Sequence, residues 1–137
     1  MKTTLKLLLV IFLLTSAGCS KYEEGSFFTI KTKKGRITNT WEPVKYVYSD
    51  GSSSTDVVPG KITLDKDMSA SVGVEYNGSL VSVPGTWRFI NDKEGINITV
   101  SLFTYSDSRD YEIVKLKSKE LWVRDKDQVV THFKATD

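Results

Sequence analysis

The stretch that decides the fold is residues 68–89, MSASVGVEYNGSLVSVPGTWRF. Met68, Ala70, Val72, Val74 and Tyr76 fall on one parity, and Ser69, Ser71, Gly73, Glu75 and Asn77 on the other. Successive side chains of an extended chain point to opposite faces, so this alternation makes a strand with one apolar and one polar side. Asn77-Gly78 then supplies the two positive-φ positions that a tight hairpin needs. Beyond the turn, Val81, Val83, Trp87 and Phe89 are again in phase, with Gly85 where a strand bends or admits another backbone.

The same pattern spreads outward. Ile96, Ile98, Val100 and Leu102 alternate with Asn97, Thr99 and Ser101, and Val129 and Phe133 extend it toward the C-terminus. From Arg36 onward no segment sustains apolar residues at helical spacing across three turns, so helix is a minor component. Turn chemistry marks seven connections: residues 49–56, Lys66, Asn77-Gly78, 92–95, 106–108, 117–118 and Lys126. Seven connections join eight strands. The later links are too short for parallel crossovers, so neighbours in sequence pair antiparallel. A meander of this length leaves two raw edges, and closure removes both. The spacing therefore predicts an all-β fold, an eight-stranded antiparallel up-and-down β-barrel. The alternative is a Greek-key β-sandwich, for which only residues 49–56 are long enough to make the return connection.

The 137 residues make one domain, and 39% hydrophobic with 26% charged residues is the composition of a chain that buries a core. Lys plus Arg number 19 against 17 Asp plus Glu, and the excess is Lys2 and Lys6, both in the leader. Beyond the leader the chain is neutral overall and lacks the positive field that neutralises phosphates, so no nucleic-acid partner is expected.

Leu7 to Leu14 form eight unbroken apolar residues behind Lys2 and Lys6, followed by Thr15, Ser16, Ala17, Gly18 and Cys19. A spanning helix needs about 20 apolar residues, so this run is a secretory signal rather than a membrane span. Ala17-Gly18-Cys19 resembles the lipobox of bacterial lipoproteins, with Ser16 where that pattern prefers Leu. The resemblance implies that the only cysteine is acylated and becomes the mature N-terminus. The chain then divides into a signal peptide at 1–18, a lipidated tether at 19–35 and a barrel domain at 36–137. Ser20 at the second mature position implies lipid anchoring at the outer membrane, and Lys21-Tyr22-Glu23-Glu24 is similar to the export tag of surface lipoproteins. It is equally the composition of a solvated tether, so the periplasmic and cell-surface faces both stay open.

Asn39-Thr40-Trp41, Gly85-Thr86-Trp87 and Glu120-Leu121-Trp122-Val123 together resemble the small lipocalin-like (calycin) lipoproteins of Gram-negative bacteria. The resemblance implies that Trp41 plugs the closed end of a barrel, with Asn39 in place of the usual glycine. It also implies an arginine over the plug, for which Arg124 and Arg88 are the candidates, and a lid at residues 50–55.

An eight-stranded barrel is either filled by side chains or just wide enough for one small ligand. The candidate lining is Val72, Val74, Trp87, Phe89, Ile98, Val100, Tyr111 and Ile113, and the same residues serve equally as a packed core. No nucleophile, metal or cofactor constellation stands out. His132 is the lone histidine and alternates within a strand, while Asp65/Asp67 and Asp125/Asp127 have the spacing of turns rather than of a dedicated calcium loop. Lys31, Lys33, Lys34 and Arg36, and Lys115, Lys117 and Lys119 along one face of an extended segment, read first as solvated faces; the alternative for the first group is contact with anionic headgroups. The expectation is a non-enzymatic binding module, anchored to the membrane by its N-terminal lipid, for a small apolar or amphipathic ligand. The alternative is a filled barrel that contacts a cell-envelope protein.

Overall fold

The computed structural model describes residues 31–136 and a two-residue strand, β1, at Glu23–Glu24. The expected signal peptide at 1–18 and the expected lipidation site Cys19 lie outside the described residues. After β1 come α1 (Lys33–Ile37), β2 (Thr40–Val47), β3 (Ser53–Ser54), β4 (Ile62–Leu64), β5 (Ser69–Tyr76) and β6 (Ser79–Ile90). The chain continues through β7 (Gly95–Leu102), β8 (Tyr105–Leu116), β9 (Glu120–Arg124) and β10 (Val130–Ala135).

From β4 to β10 each strand pairs antiparallel with the next; β10 returns to β2, and β2 pairs with β4. The ring is closed, which rules out the two-layered sandwich. β3 folds back on the far end of β2, and β1 adds parallel to β8 at Lys115 and Leu116, beyond the last β7 partner at Glu112. The register shifts twice: Val44 on β2 is the extra residue opposite His132 and Phe133 of β10, and Val114 on β8 is the one opposite Val123 and Trp122 of β9. An extra residue on one strand bends it and raises its twist, which is what a sheet needs to curl onto itself.

One expected reversal is elsewhere. Residues 106–108 do not turn: Ser106 pairs with Ser101 and Ser108 with Thr99, and the chain reverses between Leu102 and Tyr105. The small polar residues that resemble a turn form a hydroxyl ladder instead. Thr99 Oγ1 lies 2.9 Å from Ser108 Oγ, and Asn97 Nδ2 donates to Ser108 Oγ at 2.9 Å and to Asp110 Oδ1 at 2.7 Å. The true turn contains Phe103 at φ 54°, a conformation normally given to Gly or Asn, so composition carries no signal for it.

The core sits at the end where β2 begins. Ile37 at the end of α1 is fully buried, and Trp41 is 1% exposed with its Nε1 donating to the Ile37 carbonyl at 2.8 Å. Trp87 is 2% exposed and its Nε1 donates to the Asp65 carbonyl at 2.8 Å. Two indoles thus latch the helix and the β4–β5 turn over the same end. Arg124 does not lie over the plug, because its Nη1 bonds Glu112 Oε2 at 2.8 Å on the outer wall, and Arg88 is exposed. The buried arginine is Arg36 in α1, at 6% exposure, so it does not belong to an outward basic group.

Gly85 faces Val100, and a Cβ there would stand 2.2 Å from the Thr99 carbonyl oxygen. At Gly78 the φ is +78° and nothing lies within 4 Å. Gly85→Ala is therefore expected to lower stability by about 1–3 kcal/mol through backbone displacement, and Gly78→Ala by about 1 kcal/mol through left-handed strain alone. Urea denaturation distinguishes them, and a Gly85→Ala midpoint at or above the parent's would contradict the close approach of β6 and β7.

Candidate functional site

The barrel contains a cavity of about 440 Å³. Its floor is apolar, formed by Trp41, Leu64, Ile96, Leu121, Val123 and Phe133. Toward the opposite end the lining turns polar, with Tyr46, Tyr48, Lys61, Arg109, Tyr111 and Asp125. The gradient follows from topology. The apolar floor residues Trp41, Leu64, Ile96 and Leu121 sit where β2, β4, β7 and β9 meet the plugged end, whereas the polar ones lie at the far end of β2, along the middle of β8 and just outside β4 and β9.

Of the candidate lining, Val72, Ile98 and Tyr111 face the cavity. Trp87 and Ile113 are buried in the wall, each 2% exposed. Phe89 and Val100 pack half-buried against that core, Phe89 edge-on to Trp87 with ring centroids 5.3 Å apart. Val74 is 42% exposed toward the β5–β6 turn. No β6 residue lines the cavity, because the β6 aromatics fill their own side and the open volume is bordered by the other ring strands. Arg109 shares the parity of Tyr111 and Ile113 and was legible as an inward residue from that alone. The turn-like composition of residues 106–108 and the charge of the side chain mask it.

The upper wall between β2 and β5 is closed by loop rather than strand. β2 pairs with β4 only at Thr40 and Trp41, and above that point Val58, Pro59 and Gly60 line the cavity. Val58 N donates to the Tyr46 hydroxyl at 3.1 Å, and Gly60 lies so near Gly73 that a Cβ would stand 2.6 Å from its carbonyl oxygen. Within residues 50–55, the expected lid, β3 forms a bonded hairpin with β2; Tyr48 N donates to the Ser52 carbonyl at 2.9 Å, and Asp50 Oδ1 accepts from Ser52 N at 2.9 Å.

Arg109 Nε donates to Asp107 Oδ2 at 2.7 Å, a contact that raises the guanidinium pKa, with the neighbouring Tyr111 acting in the same direction. Burial pushes the Tyr111 hydroxyl up, against the pull of Arg109, so at neutral pH it is a protonated donor. Asp125 Oδ1 accepts from Asp127 N at 2.9 Å and Val129 N at 3.0 Å, and Asp67 Oδ1 accepts from Ser69 N at 2.9 Å. Both aspartate pairs thus serve their turns. Among the described residues no three His, Cys, Asp or Glu side chains gather where they could hold a metal.

His132 is on the outer wall, stacked on Trp122 at 3.8 Å between centroids, with Lys115 Nζ 4.1 Å from the Trp122 ring centre. In strand register it faces Trp122 on one side and Lys45 on the other. Burial, then the charges of Lys45 and Lys115, lower its pKa against a smaller opposing effect of Glu120. A folded-state pKa below the unfolded value means that the unfolded chain binds more protons. This contribution to stability is complete above the unfolded pKa of about 6.5 and is lost as pH falls through the folded value. Thermal melts should therefore show part of the fall in Tm below pH about 6.5 removed by His132→Phe; an unchanged slope would contradict the assignment.

No protein-family model matches the chain, and no curated protein matches it. Among solved structures it is similar to a lipocalin-like protein from Bacteroides uniformis, with a TM-score of 0.62 at 16% identity over 74% of this chain and 100% of that one. It is also similar to an uncharacterized protein from Bacteroides eggerthii, with a TM-score of 0.57 at 15% identity over 72% of this chain and 98% of that one. At such identities the likeness speaks for fold, and it agrees with the closed ring of strands. The chain has a lipocalin-like fold.

Proposed function

We propose that the protein is a lipid-anchored, non-enzymatic binding module that takes one small apolar or amphipathic molecule into its barrel. The observation that carries this reading is the cavity, about 440 Å³ over an apolar floor. Ligand pockets commonly span about 300–1,000 Å³ and combine apolar walls with a few polar groups, which is the lining found here. The volume is roughly that of fifteen liquid waters, enough for one flexible chain or a two-ring compound. The expected readout is saturable binding of N-phenyl-1-naphthylamine, one per chain, seen as enhanced probe fluorescence. Val72→Trp, which fills the lumen from β5, should weaken that binding about tenfold or more. Absence of saturable binding would overturn the reading.

The anchor rests on the leader and on Cys19 following Ala17-Gly18. Acylation at that residue with more than one chain gives stable membrane attachment, whereas a single chain is marginal. The outer membrane is the proposed site, from Ser20. Cells fed alkyne-palmitate should label the parent chain and not Cys19→Ser, which should leave the membrane fraction. Equal labelling of both would refute lipidation at this residue.

A second reading, contact with an envelope protein, draws on exposed apolar residues at two hairpin ends beside the cavity mouth. Tyr76 is 67% exposed, Leu80 58%, Phe103 97% and Tyr105 65%. Clustered apolar exposure of this kind marks interaction surfaces. Crosslinking in intact membranes separates the readings, because only this one requires a stoichiometric protein partner.

A further inference from the structure

Resting on the binding reading, we infer that the ligand is a single-chain amphiphile with an anionic head of the carboxylate class, its chain in the lumen and its head at Arg109. Three observations converge. First, the cavity changes character along its length. Its floor at Trp41, Leu64, Leu121 and Phe133 offers no polar side-chain partner besides the Trp41 indole, whose N–H is already bonded to Ile37. A polar head at that depth would lose its water without compensation, so the polar end of a ligand belongs at the mouth.

Second, the charged residues in the lining favour an anion. They are Arg109, Lys61 and Asp125. The one carboxylate among them holds two turn amides through Oδ1. Asp107, which pairs with Arg109, does not line the cavity. Tyr111 adds a hydroxyl that is protonated at neutral pH, and Thr131 adds another to the lining. The groups on offer at the mouth are thus mainly donors.

Third, the guanidinium has the geometry to receive such a head. Asp107 meets its Nε, and the planar group carries four more N–H donors on its two Nη atoms. Two parallel N–H bonds from an arginine match the spacing of a carboxylate, a match that an alcohol does not make. The Arg109 side chain is 68% exposed, so its pair with Asp107 is a solvated one. Such pairs contribute little to stability, and an arriving carboxylate can share or displace Asp107 without disturbing the fold.

The test is calorimetric titration of the full chain with dodecanoate, 1-dodecanol and dodecylammonium, three probes with the same alkyl length and different heads. Dodecanoate should bind about tenfold tighter than 1-dodecanol, the usual worth of a hydrogen bond to a charged group, and dodecylammonium should bind weakest. Arg109→Met should bring dodecanoate to the affinity of 1-dodecanol while leaving 1-dodecanol unchanged. Asp107→Asn, which removes the competing carboxylate, should tighten dodecanoate and leave the alcohol unchanged. Equal binding of acid and alcohol by the parent, preference for the ammonium, or an Arg109→Met loss shared by acid and alcohol would overturn the inference while the barrel remains a binding module. Failure of all three probes to bind would overturn the binding reading and this inference with it.

Discussion

The structure depends on one backbone ladder, in which the last strand hydrogen-bonds the first long one. β10 meets β2 from Val130 opposite Val47 to Ala135 opposite Trp41. Without this pairing β2 would hold only its short β3 and β4 partners, and β10 would end the sheet as a bare edge. With it, Leu121, Phe133 and Trp41 of three neighbouring strands line one closed interior. The pairing joins distant parts of the chain, so its loop-closure entropy is lost before any of its contacts reward it. The extra residue on β2 and the one on β8 help the sheet turn far enough to reach it.

Closure makes two different ends. At one, α1 and the β4–β5 turn are held down by the indole N–H groups of Trp41 and Trp87, and the side chains there are buried. At the other, the strands of the β5–β6 and β7–β8 hairpins run past their neighbours, β4 is only three residues long, and the loop through Val58 to Gly60 completes the wall. The cavity is the space between a sealed floor and an incomplete rim. Its chemistry follows from the same asymmetry. Residues deep in the ring must be apolar to be buried, whereas those at the rim retain access to water, so Arg109, Lys61 and Asp125 can be charged there.

The alternation in residues 68–89 and 96–102 was sufficient to anticipate strands, antiparallel order and closure, because period-two patterning and short turns leave few other arrangements. The plug at Trp41 was legible through Thr40-Trp41 despite Asn39 in the glycine position. Three features were not. The reversal at Phe103 carries no turn residue, and its neighbour Ser106-Asp107-Ser108 carries misleading ones. Arg36 reads as one more cation beside Lys33 and Lys34, and only the fold shows that it is buried. For the site, inward parity identified Val72, Ile98 and Tyr111 but could not separate residues that border open space from those, such as Trp87 and Ile113, that fill it. That distinction depends on side chains from strands far apart in sequence, and the loop residues Val58 and Lys61 have no periodicity to mark them.

The claim beneath all of this is that the strand ring is closed between β2 and β10. Nuclear Overhauser effects between backbone protons of the two strands test it most directly, at the pairs Thr131 with Tyr46, Lys134 with Glu42 and Ala135 with Trp41. Closure predicts cross-strand signals at these pairs, together with slow amide exchange in both strands. Missing signals, with amides of β2 and β10 exchanging like those of an open sheet edge, would contradict it.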